Sequence, residues 1–75
     1  MKVYNYTGIF EPGEEGGYDV IVPAIPEICT FGATIEEARK MAGDAIRCYL
    51  ESALDDNETI PQDKEPSLER IAVKI

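Results

Sequence analysis

Between Gly16 and Ala38 the chain reads GGYDVIVPAIPEICTFGATIEEA, and this run restricts the fold more than any other part. A double glycine precedes Tyr18 to Val22, where Tyr18, Val20 and Val22 share one side at the two-residue period of a strand. Pro23 and Pro26 then remove two backbone donors and fix two φ angles, so Pro23 to Glu27 cannot continue as a central strand. Ile28 to Phe31 supplies a short third strand, ended by Gly32. Thr34, Ile35, Glu36 and Glu37 match a capping box. In that motif the Thr34 side chain accepts from the Glu37 amide, and the Glu37 carboxylate reaches back to the Thr34 amide. Two carboxylates in the first turn also suit the positive end of the helix dipole.

The flanking segments extend this frame. Lys2 to Phe10 is rich in aromatic and β-branched residues and predicts a first strand. Its two parities, Tyr4, Tyr6 and Phe10 against Val3, Thr7 and Ile9, both carry apolar groups, which suits a central strand. Pro12, Gly13, Gly16 and Gly17, with Glu11, Glu14 and Glu15, mark a solvated connection that makes the first two strands an antiparallel hairpin.

After Thr34, residues Ile35, Ala38, Ala42, Ala45, Ile46, Tyr49 and Ala53 fall on one helical stripe. Glu36, Lys40, Asp44, Arg47 and Glu51 lie opposite, and Glu36 with Lys40 makes a favourable i,i+4 pair. The pattern predicts about five turns of amphipathic helix. Gly43 interrupts it at a cost of roughly 0.5–1 kcal/mol relative to alanine. Two readings stay open. Either Gly43 permits a close backbone contact and Leu50 and Leu54, at the stripe's margin, pack on another subunit, or Gly43 is a tolerated defect and the leucines cover a loop.

Asp55 to Pro66 reads as a connecting loop, broken by Pro61 and Pro66. Its Asp55-Asp56-Asn57-Glu58 run lies beyond the helix C-terminus as solvated loop rather than a metal site. Leu68 to Ile75 alternates, with Ile71, Val73 and Ile75 on one side, and predicts a half-buried fourth strand. The expected fold is α+β in the order β-β-β-α-β: a three-stranded antiparallel meander, a fourth strand, and one helix on the sheet. Residues 1–75 form one domain.

A chain of 75 residues buries only about 60% of its unfolded surface, so oligomerisation is expected. Its 15 acidic residues against seven basic ones give a net charge of −8. That balance repels phosphate backbones and disfavours unaided nucleic-acid binding. It also allows steering toward a basic partner protein. The two cysteines, Cys29 and Cys48, are too few for a secreted disulfide scaffold and are read as reduced thiols, with Cys29 in the core. A leader pattern and a membrane-length apolar run are both missing, so the cytoplasm is the expected compartment.

With no histidine, the common general base and the histidine-dependent triads are excluded. A two-metal nuclease needs carboxylates converging from strands and helix, whereas Lys2 to Phe10 contains none. Gly13, Gly16 and Gly17 join two strands and lack the lysine of a phosphate-binding loop. The reading is therefore a non-enzymatic binding module without catalytic residue, metal or cofactor.

Several segments, in order, resemble the HicB antitoxin family: Tyr6 to Pro12, Gly16 to Val20, Pro23 to Thr30, Gly32 to Ala38, Ala45 to Glu51, Ile60-Pro61 and Pro66-Ser67. The family turn often reads Pro-Asp-Leu-Pro-Gly-Cys; here Ala24 replaces the acid and Glu27-Ile28 the glycine. The resemblance implies a partial RNase H-like unit with its fourth strand beside the first. It also implies that the domain neutralises a small basic HicA-type toxin, an mRNA-cleaving ribonuclease. A C-terminal operator-binding domain, frequent in such antitoxins, is not expected in these residues. The alternatives are an orphan domain of this fold acting as an oligomeric scaffold or regulator, and, more remotely, a divalent-metal nuclease. The carboxylates expected to meet a basic partner are Glu11, Glu14, Glu15 and Glu27, in the loops around the hairpin.

Overall fold

The computed structural model describes residues 2–75. Its elements are β1 (Ile9–Pro12), β2 (Tyr18–Ile21), β3 (Cys29–Gly32) and α1 (Ile35–Asp55). The strands form an antiparallel sheet in the order β1-β2-β3. The expected α+β class, three-stranded meander and single helix are all present.

The hairpin closes with Gly13 N–H donating to Gly17 O at 3.0 Å and Gly16 N–H to Gly13 O at 3.2 Å. Gly16 and Gly17 have φ of 97° and 75°, a region that glycine enters without a Cβ penalty. The first strand is shorter than expected and lies at an edge rather than the centre. The register explains the short length. Ile9 pairs with Ile21, so residues before Ile9 would have to pair with the chain beyond Ile21, where the proline-bracketed turn offers no extended partner.

That turn supplies more than a detour. Ile25 N–H donates to Val22 O at 2.9 Å and Ile28 N–H to Ile25 O at 3.0 Å. The two consecutive turns aim Val22, Ala24, Ile25 and Ile28 into one buried cluster, against Tyr6, Ala45, Ile46 and Tyr49. A second cluster joins Val20 to Ala38 and Ala42, flanked by Phe10 and Tyr18. Gly32 permits this second contact. A Cβ there would overlap the backbone of Ala38 and stand 2.8 Å from the Glu37 carbonyl carbon.

The helix begins as a modified capping box. Glu37 N–H donates to Thr34 Oγ1 at 3.1 Å, but the Glu37 carboxylate takes the Ala33 amide at 2.9 Å instead of Thr34's. At the other end Asn57 adopts φ 57°. Glu58 N–H donates to Ala53 O and Asn57 N–H to Leu54 O, the bond pair of a Schellman cap. Leu50 is buried with Ala38, Ala42 and Ala53, so it belongs to the core rather than its margin, whereas Leu54 is exposed. Lys40 pairs with Asp44, not with Glu36, and Arg47 reaches the same carboxylate, both at 3.4 Å. Such exposed pairs stabilise little.

The chain after α1 departs furthest from expectation. Tyr6 OH donates to Pro61 O. Asp63 then accepts from the Thr7 amide and hydroxyl, each at 2.8 Å. Beyond this clasp, residues 64–75 are exposed and belong to no ladder among the described residues. Leu68 to Ile75 is therefore not a half-buried strand of the sheet. The clasp fixes Asp63 beside Thr7, and residues 64–75 form no ladder with β1.

Candidate partner-docking face

Antiparallel register assigns every strand residue to a face of the sheet. The side toward α1 holds the rows Phe10–Val20–Thr30 and Pro12–Tyr18–Gly32. The opposite side holds Ile9–Ile21–Cys29 and Glu11–Asp19–Phe31, and no element covers it among the described residues. Side chains on neighbouring strands stand about 5 Å apart, so these two rows form one patch, in which the carboxylates of Glu11 and Asp19 stand beside Ile9, Ile21, Cys29 and Phe31.

The patch is solvated. Phe31 is 52% exposed and Ile21 38%. Glu11, Asp19 and Cys29 are also exposed. The Phe31 ring lies across Gly17, where a Cβ would overlap Cζ, so the double glycine allows the aromatic group to lie flat on the hairpin. Glu11 is directly opposite Asp19. Like charges at opposed positions destabilise a sheet, and a cation brought by a partner would relieve that repulsion.

The surrounding charge has one sign. From Val3 to Ala38 the sequence holds seven acidic residues, Glu11, Glu14, Glu15, Asp19, Glu27, Glu36 and Glu37, and no lysine or arginine. The seven basic residues are Lys2 and six that follow Ala38. The sheet half of the domain is thus acidic while α1 is mixed.

All four carboxylates expected at a partner surface are exposed. Glu14 and Glu15 form the tip of the hairpin and Glu11 lies in β1 beside it. Glu27 is separate from them, because the Pro23–Ile28 turn leaves from the far end of β2. Its carboxylate faces Tyr49 on α1, and its charge is the main cause that raises the Tyr49 phenol above its ordinary pKa. Sequence reasoning missed Asp19, Ile21 and Phe31. The available signal was parity: with Tyr18, Val20 and Val22 assigned inward, Asp19 and Ile21 must point outward.

Cys29 belongs to this outer face and is not a core residue, contrary to expectation; it and Cys48 are free thiols. Among the described residues, no group of three or more His, Cys, Asp or Glu side chains is placed to hold a metal ion. No described helix is long and apolar enough to cross a membrane.

Comparison with known proteins connects this arrangement to a family. The family described as "HicB_like antitoxin of bacterial toxin-antitoxin system" matches residues 6–74. Antitoxin HicB 1 of Photorhabdus laumondii is 49% identical over 61 residues, covering 81% of this chain and 39% of that protein. A UPF0150 protein of Thermoplasma acidophilum is 47% identical over 58 residues, 77% of this chain and 84% of that one. Antitoxin HicB of Escherichia coli is 41% identical over 56 residues, 75% of this chain and 41% of that protein. The chain therefore spans about two fifths of the named antitoxins it matches and most of the shorter relative. A match running from Tyr6 to Lys74 leaves little of the fold outside it: the chain belongs to the HicB-like antitoxin family of bacterial toxin–antitoxin systems.

Proposed function

We propose that this domain is the protein-binding, non-enzymatic part of an antitoxin, and that it neutralises a small basic HicA-type ribonuclease in the cytoplasm. One observation carries the reading beyond family membership: the uncovered sheet face sets Glu11 and Asp19 beside Ile21 and Phe31. An apolar centre with an aromatic anchor and a charged margin is the composition of a protein interface. The acidic margin suits a partner that binds RNA and is therefore basic. Glu14 and Glu15 extend the acidic margin, and Glu27 contributes at the far end of the domain. A fourth strand from Leu68–Ile75 would complete a partial RNase H-like unit.

The test is binding and inhibition with a small basic HicA-type ribonuclease, taken from beside this gene where one is encoded there. Titration calorimetry and an RNA-cleavage assay should show tight association and loss of cleavage. Asp19→Lys with Phe31→Ala should weaken binding by about tenfold or more, each step of ten corresponding to about 1.4 kcal/mol. Unchanged affinity in that double variant, with the helix signal intact, would remove the outer face as the docking surface. Absence of binding by the unaltered chain would remove the toxin itself.

A further inference from the structure

Leu68 to Ile75 has the pattern of a strand covered on one side, and among the described residues nothing covers it. Ile71 is 85% exposed and Val73 77%, while the alternate positions hold Arg70 and Lys74. A separate open groove of about 570 Å³ runs between the N-terminal segment and α1, lined by Tyr4, Tyr6, Gly43, Ile46, Leu50 and Leu54. Two unsatisfied apolar surfaces of one chain thus face solvent at the same time.

Gly43 adds an independent observation. A glycine inside a helix is unfavourable, and here a Cβ at Gly43 would meet nothing within 4 Å. The chain's own packing does not require the small residue. It lies on the groove wall, where an incoming backbone would need the space it leaves.

The segment does not line its own groove, none of whose wall residues lies beyond Leu54. Asp63 is clasped to Thr7, Pro66 biases Glu65 toward extended conformations, and residues 64–75 contain no glycine, asparagine or aspartate to reverse the chain. Twelve extended residues reach about 40 Å. The Cα radius of gyration is 14.7 Å and the long axis 52 Å, against about 11 Å for the radius of a compact chain of this length. Charge agrees with a second copy as occupant. Lys2, Arg47 and Glu51 border the groove, and Glu69, Arg70 and Lys74 on the segment offer opposite partners.

We propose that Leu68–Ile75 of one copy lies as an added strand in the Tyr4–Leu54 groove of a second copy, with Ile71, Val73 and Ile75 inward, and that the exchange is reciprocal. The groove and the sheet are then completed only in the pair, a domain-swapped dimer with an isologous interface. This inference is independent of the toxin reading and is tested on the chain alone.

Light scattering on the purified protein should give twice the 8.3 kDa chain mass. Gly43→Leu fills the groove from within and improves helix propensity, so it should give a folded monomer, with the dimer dissociation constant raised by about tenfold or more. Ile71→Asp with Val73→Asp should do the same from the other side. A Cys29→Ser, Cys48→Ser background then allows Leu54→Cys and Val73→Cys to be placed on separate chains. Mixing the two under oxidation should give a covalent dimer. The proposal is overturned by a monomeric parent protein, by a dimer indifferent to both sets of variants, or by cross-linking only when both cysteines share one chain.

Discussion

Gly32→Ala should be the most damaging single-methyl change in the domain, and its cost follows from atomic positions. The added Cβ would stand 2.8 Å from the Glu37 carbonyl carbon, against the 3.4 Å at which ordinary contact begins, and would overlap the Ala38 backbone N and Cα. These are backbone atoms of the first helical turn and cannot rotate away. The start of α1 would have to move off the sheet by more than about half an ångström, since packed interiors do not compress. Overpacking of this kind costs roughly 1–3 kcal/mol.

The displacement also lifts Ala38 and Ala42 from Val20, all three now buried, and forfeits part of the roughly 1.5–3 kcal/mol that burying a valine contributes. Together about 3 kcal/mol is expected, out of the roughly 4–11 kcal/mol available to a chain of this size. With a urea slope near 1 kcal/mol/M, the midpoint should fall by about 3 M. Ellipticity at the helix band reads the transition, at one protein concentration because association shifts apparent stability. Gly16→Ala is the control, since a Cβ there meets nothing within 4 Å and only its positive φ is strained. It should cost about 1 kcal/mol. If Gly32→Ala moved the midpoint no further than Gly16→Ala, the tight approach of β3 to α1 would be wrong.

Two further outcomes follow from single hydrogen bonds. Thr34→Ala removes the acceptor of the Glu37 amide and should cost about 1 kcal/mol, seen as a melting temperature lower by about 4–8 °C; an unchanged melt would deny the cap a role. The Thr7 amide, and next its hydroxyl, hold the Asp63 carboxyl below its ordinary pKa, so the clasp contributes stability above the unfolded carboxylate value and loses it as pH falls through the lower folded one. Thr7→Val keeps the amide and removes the hydroxyl, and side-chain carboxyl NMR should show the Asp63 midpoint rising part of the way back; an unmoved midpoint would refute the hydroxyl's share.

What the sequence made legible was local chemistry. The Thr34 cap, the turn glycines and the helical stripe depend on neighbours within four residues, and each formed with small changes. Glu37 selected the Ala33 amide because Thr34's own amide was not the only orphan donor within reach. Non-local packing was harder to read. The Pro23–Ile28 turn has no periodicity, so nothing in it announced that Ile25 would be fully buried beneath α1. Lys2 to Gly8 has strand composition, yet a strand needs a partner, and the same prolines remove that partner from the register. An ideal helical stripe puts Leu50 at its margin because it ignores which neighbours approach the helix, and in the fold Leu50 is buried. On the candidate docking face, charge alone points to Glu11, while Asp19, Ile21 and Phe31 require knowing which face the helix covers.

The strand pattern of Leu68–Ile75 and the solvated outer sheet face lead to a division of surfaces. The inner sheet face is occupied by α1, the proposed arm site lies on the α1 side beside Tyr4 and Leu54, and the acidic patch is on the opposite side of the sheet. In the proposed pair, exchange would therefore leave both acidic faces open, so a dimer could engage two toxin molecules without rearrangement. The two proposals are separable in consequence. A Gly43→Leu monomer should bind the ribonuclease with the parent's affinity per chain while forming a one-to-one complex in place of a two-to-two one. If monomerisation abolished binding instead, a residue from the second copy would belong to the docking surface, and the division between outer face and arm groove would not hold.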